Sequence, residues 1–435
     1  MDGPPRNETA PDTPMSEAAN STRALVGISS AKNNTQDVYA RGLNRYRTDS
    51  AIKRILRLDA KRIAPDRFPW STHRTVACTW AKVDLNVRVS KVREANSHHY
   101  RGLATCGSVW VCPHCSSKIQ ERRRHEVEQA IRWQQNQGAQ PCMVSYTFPH
   151  RADQPLSLLL KLQQQAIKSM RESRAYKTTM ERIGNQGRIR ALEVTHGDNG
   201  WHPHTHELLF VKTDYTEAQL RHELALLWMK ACERVGLYQP RAHDHKAFYT
   251  YGVDVSGGNL GAASYLVKLD DQSKWNVSHE LTKSSSKQGR RSGKHPFQLV
   301  ESNPEKFLEY VHAMKGERQI VWSRGLKKQV GIDEKTDEEV AADETGHLEI
   351  EFALPSHSWR LVLANDARWE ILDAANRGGE PQVMDYLRRL GYVEESPGFE
   401  EHDQGAIRPG ISPRGPSGIE NPVSRGVVGM EGGRS

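Results

Sequence analysis

His204 and His206 stand two residues apart in the run WHPHTHELLF. On a strand, that spacing turns both imidazoles to one face of a sheet. Two neutral imidazoles side by side can hold a divalent cation. Glu193 lies on the preceding segment, across a turn containing Gly197, Asp198, Asn199 and Gly200. An antiparallel hairpin would bring its carboxylate beside the two rings and complete a three-ligand, open-sided site. A hard carboxylate with two imidazoles suits Mg²⁺ or Mn²⁺, leaving positions for water or phosphate. His202, at the strand entrance, is a supporting residue of that site. The pattern alone carries little weight in a chain with 19 histidines, and His243-Asp244-His245 repeats it.

Sulfur ligands form a second group. Cys106, Cys112 and Cys115 supply three thiolates, the last two in a C-x2-C knuckle around Pro113 and His114, and Cys78 is the candidate fourth. Such a set holds structural zinc in a tetrahedron. His98, His99 and His114 are alternative fourth ligands, and Cys142 and Cys232 read as core residues. A helix after the knuckle carries Lys118, Arg122, Arg123, Arg124 and Arg132. Fixed by zinc, it would lie along a phosphate backbone. A third candidate is Tyr265, with Lys268 one turn on along the same helix face. A tyrosine hydroxyl titrates near 10, so it becomes a nucleophile only where something stabilises its phenolate. A metal-polarised phosphate and a neighbouring ammonium supply that stabilisation.

Several elements must position these groups. Cys142–Phe148 alternates like a strand and Ser157–Met180 has helical spacing. Ile189–Thr195 and His204–Val211 read as a strand pair. Thr216 and Gln219 open a helix that Gly236 closes, Phe248–Val255 alternates like a strand, and Leu260–Leu269 reads as a short helix. The order β-α-β-β-α-β predicts an α+β fold, a ferredoxin-like antiparallel sheet with helices on one face and the other face open for a site. Residues 1–40 read as disordered and 41–135 as a basic, zinc-binding segment. Residues 140–328 form the catalytic domain, 329–395 an acidic linker and small C-terminal appendage, and 396–435 a disordered tail.

The 435-residue chain has a formal net charge of +8, a mild excess. Its distribution says more. Arg45, Arg47, Lys53, Arg54, Arg57, Lys61 and Arg62 crowd one stretch, and Lys283, Lys287, Arg290, Arg291 and Lys294 another, while Asp333–Glu351 is acidic. This segregation favours a polyanion on one surface over a merely solvated face. The N-terminus lacks a secretory pattern, and no run approaches the roughly 20 apolar residues of a membrane helix. The expected compartment is a reducing cytoplasm, where six cysteines are thiols or metal ligands.

Taken together, TFPHRADQPL near Thr147, LEVTHGDNGWHPHTHELLF, and ASYLVK around Tyr265 resemble the three motifs of rolling-circle plasmid replication initiators, of the HUH endonuclease superfamily. The C-x5-CPxC segment, HPFQLVE at His295 and WSRGL at Trp322 resemble flanking segments of that family, over roughly Thr75 to Lys328. The resemblance implies an HUH palm in which His204 and His206 hold the metal, Tyr265 attacks the scissile phosphate and Lys268 assists. The enzyme would nick one strand at the double-strand origin and stay joined to the 5′ phosphate. The freed 3′ hydroxyl would prime synthesis by host helicase and DNA polymerase. Arg122, Arg123, Arg124, Arg290 and Arg291 would contact DNA, presented as a hairpin or single strand. Many such initiators carry a glutamate four residues before the tyrosine, where this chain has Gly261, which leaves termination chemistry open. Tyr249 and Tyr251 are the nearby second tyrosines, on an expected strand. Rival readings are a mobilisation relaxase, an HUH transposase, or a non-enzymatic zinc-ribbon DNA-binding protein.

Overall fold

Thr216 and Gly236 bracket a helix as their chemistry predicts. The Thr216 side chain accepts a hydrogen bond from the Gln219 backbone N–H, and Gly236 ends the helix at φ 84°. That left-handed conformation costs a glycine no Cβ strain. The computed structural model describes residues 19–69, 71–92, 97–212, 215–257, 293–343, 348–355 and 357–393. In chain order they form α1 (Ala19–Ile63), β1 (Arg88–Val92), β2 (Ser97–Arg101), α2 (Pro113–Asn136) and β3 (Gln140–Tyr146). Then come α3 (Leu156–Glu172), α4 (Arg174–Arg182), β4 (Arg188–Gly197), β5 (Gly200–Val211), α5 (Glu217–Val235), α6 (His245–Tyr251) and β6 (Val253–Gly257). The remainder is α7 (Leu299–Ser302), α8 (Pro304–Ala313), β7 (Ile320–Trp322), α9 (Leu326–Val330), α10 (Asp337–Ala342), β8 (Leu348–Ala353), α11 (Ser358–Ala364) and α12 (Arg368–Arg389). The fold is mixed α+β with two antiparallel sheets.

The larger sheet has the order β6-β3-β5-β4-β7. β4 and β5 make a long hairpin whose last pair is Gly197↔Gly200. Period-two alternation then sorts the side chains. Leu192, Val194, Trp201, Leu209 and Val211 bury against Leu159 of α3 and Leu220 and Leu224 of α5. On the opposite face Met143, Ile189, Ala191, Leu208 and Phe210 pack on Val127, Ala130 and Ile131 of α2 and Leu326 and Val330 of α9. Helices therefore cover part of both faces, where an open face was expected. The reason is the unbroken apolar run Leu208–Val211, which needs apolar neighbours on each side. The uncovered end of the second face is the end that carries the histidines.

The smaller sheet, β2-β1-β8, joins segments far apart in sequence. β8 pairs with β1, and Val87 and Val89 share a core with Phe352, Trp359, Ile371 and Leu387. The expected acidic linker and appendage are thus interleaved with the zinc-binding segment. α10, in the acidic stretch, packs on α2, where Lys118 Nζ donates to the Ala341 carbonyl at 3.0 Å. Arg368 of α12 reaches Asp49 of α1 at 2.7 Å, and the same carboxylate oxygen takes Lys53, with all three side chains fully buried. Losing one partner from such a cluster strands a charge, at a cost of about 3–5 kcal/mol.

Three local expectations change. α1 already runs from Ala19, where irregular chain was expected to about residue 40. Its later half buries Ala51, Ile52, Leu56 and Ala60, and tertiary packing of this kind sustains a helix that propensity alone would not. The long helix expected over Ser157–Met180 divides at Ser173, whose side chain caps α4 by accepting from the Tyr176 backbone N–H. Tyr249 and Tyr251 lie on α6, because Asp244 caps a helix that starts at His245, ahead of the Phe248–Val255 stretch, and runs into it. No described helix is long and apolar enough to cross a membrane.

Candidate active site and metal centres

The β4–β5 register sets Glu193 directly opposite His204, and the β3–β5 register sets Ser145 opposite His206. All four project from the face that α3 and α5 leave free. Glu193 Oε2 lies 3.0 Å from His206 Nε2, and Ser145 Oγ lies 2.8 Å from His206 Nδ1. The His204 and His206 rings are nearly parallel, with centroids 6.1 Å apart. His202 follows at 3.8 Å from His204, and His150 at 4.4 Å from His202. Four imidazoles thus run in a row along the sheet end.

Their environment fixes their protonation. Burial pulls His204 down to about 4, aided by His206 and His150 and opposed by Glu193. Burial also pulls His202 down to about 3, with His204 and His150 adding to it. Both rings are neutral at pH 7 and keep a lone pair for a cation. Burial pushes the Glu193 carboxyl up, but the hydrogen bond and charge of His206, with His204 and His295, more than offset it and hold it low. A carboxylate beside imidazole nitrogens can hold a divalent cation.

Sequence reasoning missed Ser145, His150 and Asp254. Asp254 pairs with Ser145 across β3 and β6, so an exposed carboxylate extends the polar row Asp254–Ser145–His206. Only the strand register reveals this, since the three lie far apart in the chain. The decoy His243 is in a loop, where its Nδ1 accepts from the Gln239 backbone N–H at 2.9 Å. Tyr249 is on the other side of the sheet, packed against the α3–α5 core with its hydroxyl 2.5 Å from His222 Nδ1. Tyr265, Lys268, Arg290 and Arg291 lie outside the described residues. The chain leaves β6 at Gly257 and is next described at Gly293. There Lys294 exchanges backbone hydrogen bonds of 2.7 and 2.9 Å with His196 at the end of β4.

The four cysteines Cys78, Cys106, Cys112 and Cys115 are buried, with their sulfurs all within 4.8 Å of one another. Among the described residues this is the group of three or more His, Cys, Asp or Glu drawn together this closely. Sulfur pairs are 3.5 Å for Cys78–Cys112, 3.6 Å for Cys78–Cys115 and 3.7 Å for Cys106–Cys115. A zinc tetrahedron with bonds of ~2.3 Å has edges of about 3.8 Å, so the set fits a metal such as zinc. Sulfur contacts from Cys106, Cys112 and Cys78 pull the Cys115 thiol far down, against the effect of burial, while Cys78 and Cys112 are pushed up, so a single thiolate is favoured among the four. Of the alternative ligands, His98 bonds Asn376 and Glu351, and His99 Nε2 lies 3.4 Å from Ser97 Oγ. His114 sits tilted against the Tyr46 ring, with its Nε2 3.9 Å from Asp49.

On the basic helix after the knuckle, Arg123 is buried and committed to Glu126 at 2.9 Å and Asp337 at 2.8 Å, which ties α2 to α10. Arg124 pairs with Glu121 and Glu128, and Arg122 reaches Glu126 at 3.4 Å. Acids spaced three and four residues away on the same helix thus pair with these three arginines, while Arg132 stays exposed.

Residues 101–357, more than half of the chain, match the family described as "Replication protein". The chain belongs to this replication-protein family. It is also similar to "Protein rep" of Streptomyces lividans, 24% identical over 335 residues that cover 60% of this chain and 73% of that one. A second relative, "Neomycin resistance protein" of Streptomyces cyanogenus, is 33% identical over 135 residues, 25% of this chain and 31% of that one. No solved structure matches. The resemblance to plasmid replication initiators therefore stands. The family segment includes Cys106, Cys112, Cys115, Glu193, His204 and His206, and runs past Lys328 to take in β8, in keeping with the way β8 closes the smaller sheet onto β1.

Proposed function

We propose that this replication protein initiates rolling-circle replication of a plasmid by nicking one strand of its double-strand origin at the histidine face. The observation that carries the reading is the cross-strand juxtaposition of Glu193, His204 and His206. The β6-β3-β5-β4 strand order supports reading this sheet as a ferredoxin-like HUH palm with the site at one end. Glu193, His204 and His206 would hold Mg²⁺ or Mn²⁺, which when bound withdraws charge from a phosphate. Ser145 fixes the His206 ring through Nδ1, so its Nε2 keeps one direction.

Tyr265 is the proposed nucleophile. Its oxygen attacks the scissile phosphorus, the bond to the 3′ oxygen breaks, and that oxygen leaves as a 3′ hydroxyl after taking a proton. The 5′ phosphate stays on the tyrosine, and Lys268 offsets charge on that phosphate. Eight residues separate Gly257 from Tyr265, a reach of up to about 28 Å. From Gly257, opposite Cys142, to Asp254, opposite Ser145, is three residues, or about 10 Å of strand. The histidine face is therefore within reach of Tyr265. The 3′ hydroxyl would prime synthesis by host helicase and DNA polymerase in a reducing cytoplasm. The cysteine centre would hold zinc and brace residues 41–135 against the 140–328 endonuclease domain.

The test is incubation of the protein with supercoiled plasmid carrying its origin and Mg²⁺. Open circles and a detergent-resistant protein–DNA adduct are expected, with the 5′ label on the Tyr265 peptide. Tyr265→Phe, which removes one oxygen, should bind DNA and form no adduct. An adduct that persists in Tyr265→Phe, or plasmid left supercoiled by the wild type, overturns the reading.

A further inference from the structure

Arg122, Arg123 and Arg124 of α2 all meet acids, whereas a set of cations on α1 meets none. Arg54, Arg57, Leu58 and Lys61 follow the i, i+3, i+4, i+7 spacing of one helix face. Among the described residues no ion pair includes Arg54, Arg57 or Lys61, whereas their neighbour Arg62 is paired with Asp59 at 2.8 Å. These three cations edge a cavity of about 440 Å³ whose walls include Phe68 and Trp80, a size typical of small-ligand pockets. The Arg57 guanidinium lies 4.2 Å from the Trp80 ring centroid, and the Lys61 ammonium 4.9 Å from that of Phe68. Each ring holds a cation by its π face and leaves the N–H donors free. Trp80 is itself anchored, its carbonyl accepting from Trp359 Nε1 at 2.9 Å. The rim has one acid, Asp366, whose carboxylate already takes Ser50 at 2.6 Å and Arg368 at 3.4 Å. Leu58 is 62% exposed beside the cations, an apolar surface without a cover.

We propose that this cavity binds single-stranded DNA, with consecutive phosphates held one each by Arg54, Arg57 and Lys61 and an unstacked nucleoside against Leu58, Phe68 and Trp80. A patch that read only duplex phosphates would have no use for an apolar floor, while a single strand offers both phosphates and bare base faces. None of the cavity residues belongs to the five-stranded sheet. The site is an accessory to the histidine face and does not depend on that face cutting DNA. A strand opened near the nick could be retained here.

The experiment uses the full chain and a fluorescein-labelled dT20 oligonucleotide, titrated by anisotropy over a series of salt concentrations. In the triple variant Arg54→Gln, Arg57→Gln, Lys61→Gln, three single-strand phosphate contacts are lost. The slope of log K against log salt should therefore fall by about 2, and affinity at 0.1 M salt by about 100-fold. Thermal unfolding should fall only slightly, since these side chains pair with no carboxylate and the variant loses just the two ring contacts of Arg57 and Lys61. An iododeoxyuridine-substituted strand should crosslink on irradiation to the peptide containing Phe68 and Trp80. Unlabelled duplex of equal length, and poly-glutamate, should each compete poorly. Unchanged affinity and slope in the triple variant overturn the proposal. So does competition by poly-glutamate at equal charge, which marks an acidic-peptide site, or equal competition by duplex without a crosslink, which marks a phosphate patch. His204→Ala should bind dT20 as the wild type does, so failure of the nicking reading and failure of this one are told apart.

Discussion

Cys78→Ser separates the four-cysteine centre from every alternative the sequence leaves open. The substitution swaps one soft sulfur for a hydroxyl that binds zinc poorly, and changes the volume little. In the structure Cys78 contributes two of the short sulfur–sulfur edges, 3.5 Å to Cys112 and 3.6 Å to Cys115. The centre also orders its surroundings. Cys112 caps α2 by accepting from the Cys115 backbone N–H, and Thr75 Oγ1 donates to Cys106 at 3.4 Å. Without the metal, four buried thiols and the start of α2 lose their tie to the 73–79 segment. A loss of about 3 kcal/mol is the order expected for dismantling one buried group. In a chain of 435 residues it lowers Tm by roughly 3 °C. The assay is zinc release to a chromogenic chelator from purified, reduced protein, with thermal unfolding alongside. Wild type should release about one zinc per chain, and Cys78→Ser almost none. His98→Ala, His99→Ala and His114→Ala should keep theirs. A Cys78→Ser protein that retains its zinc while His114→Ala loses it would refute the four-thiolate assignment and the geometry behind it.

Three further outcomes follow from the same structure. His204→Ala or His206→Ala should abolish plasmid nicking and leave DNA binding within about twofold, since binding rests on phosphate contacts, while His243→Ala should nick normally; damage from the His243 change would mean the wrong pair was chosen. Ser145→Ala should fold normally and weaken Mn²⁺ affinity by about 10–100-fold, because it frees the His206 ring; an unchanged Mn²⁺ titration would show that Ser145 does not orient the ligand. Arg123→Ala should destabilise the protein by about 2 kcal/mol in urea unfolding, the worth of its charged hydrogen bonds, with dT20 affinity nearly unchanged, and a weakened oligonucleotide complex at unaltered stability would return α2 to the DNA surface.

Much of the candidate site was legible in the chain. The two-residue spacing of His204 and His206, the hairpin turn at Gly197–Gly200 and the place of Glu193 before it determine that these three side chains share a face. Strand alternation and turn chemistry are local properties, and the structure bears out the hairpin, with both strands running further than expected, to Gly197 and from Gly200. The cap residues Thr216 and Gly236 are equally local. The cysteine spacing marked a metal centre, while the identity of its fourth member depended on which distant residue the fold delivers, Cys78 or a histidine.

Only tertiary structure decided the rest. That β8 pairs with β1, that α2 and α9 cover part of the second face, and that Ser145 and Asp254 stand in line with His206 are all consequences of long-range register. No local pattern encodes such a register, because any strand with the right alternation can pair with another until the whole core selects one arrangement. Charge shows the same division. The sequence gathers arginines on both α1 and α2, but whether a guanidinium faces water or an acid is set by packing. Arg123 is taken up by Glu126 and Asp337 from a segment more than 200 residues away, as their 2.9 and 2.8 Å contacts record. Arg54, Arg57 and Lys61 meet no such acid, and composition alone could not tell the two helices apart.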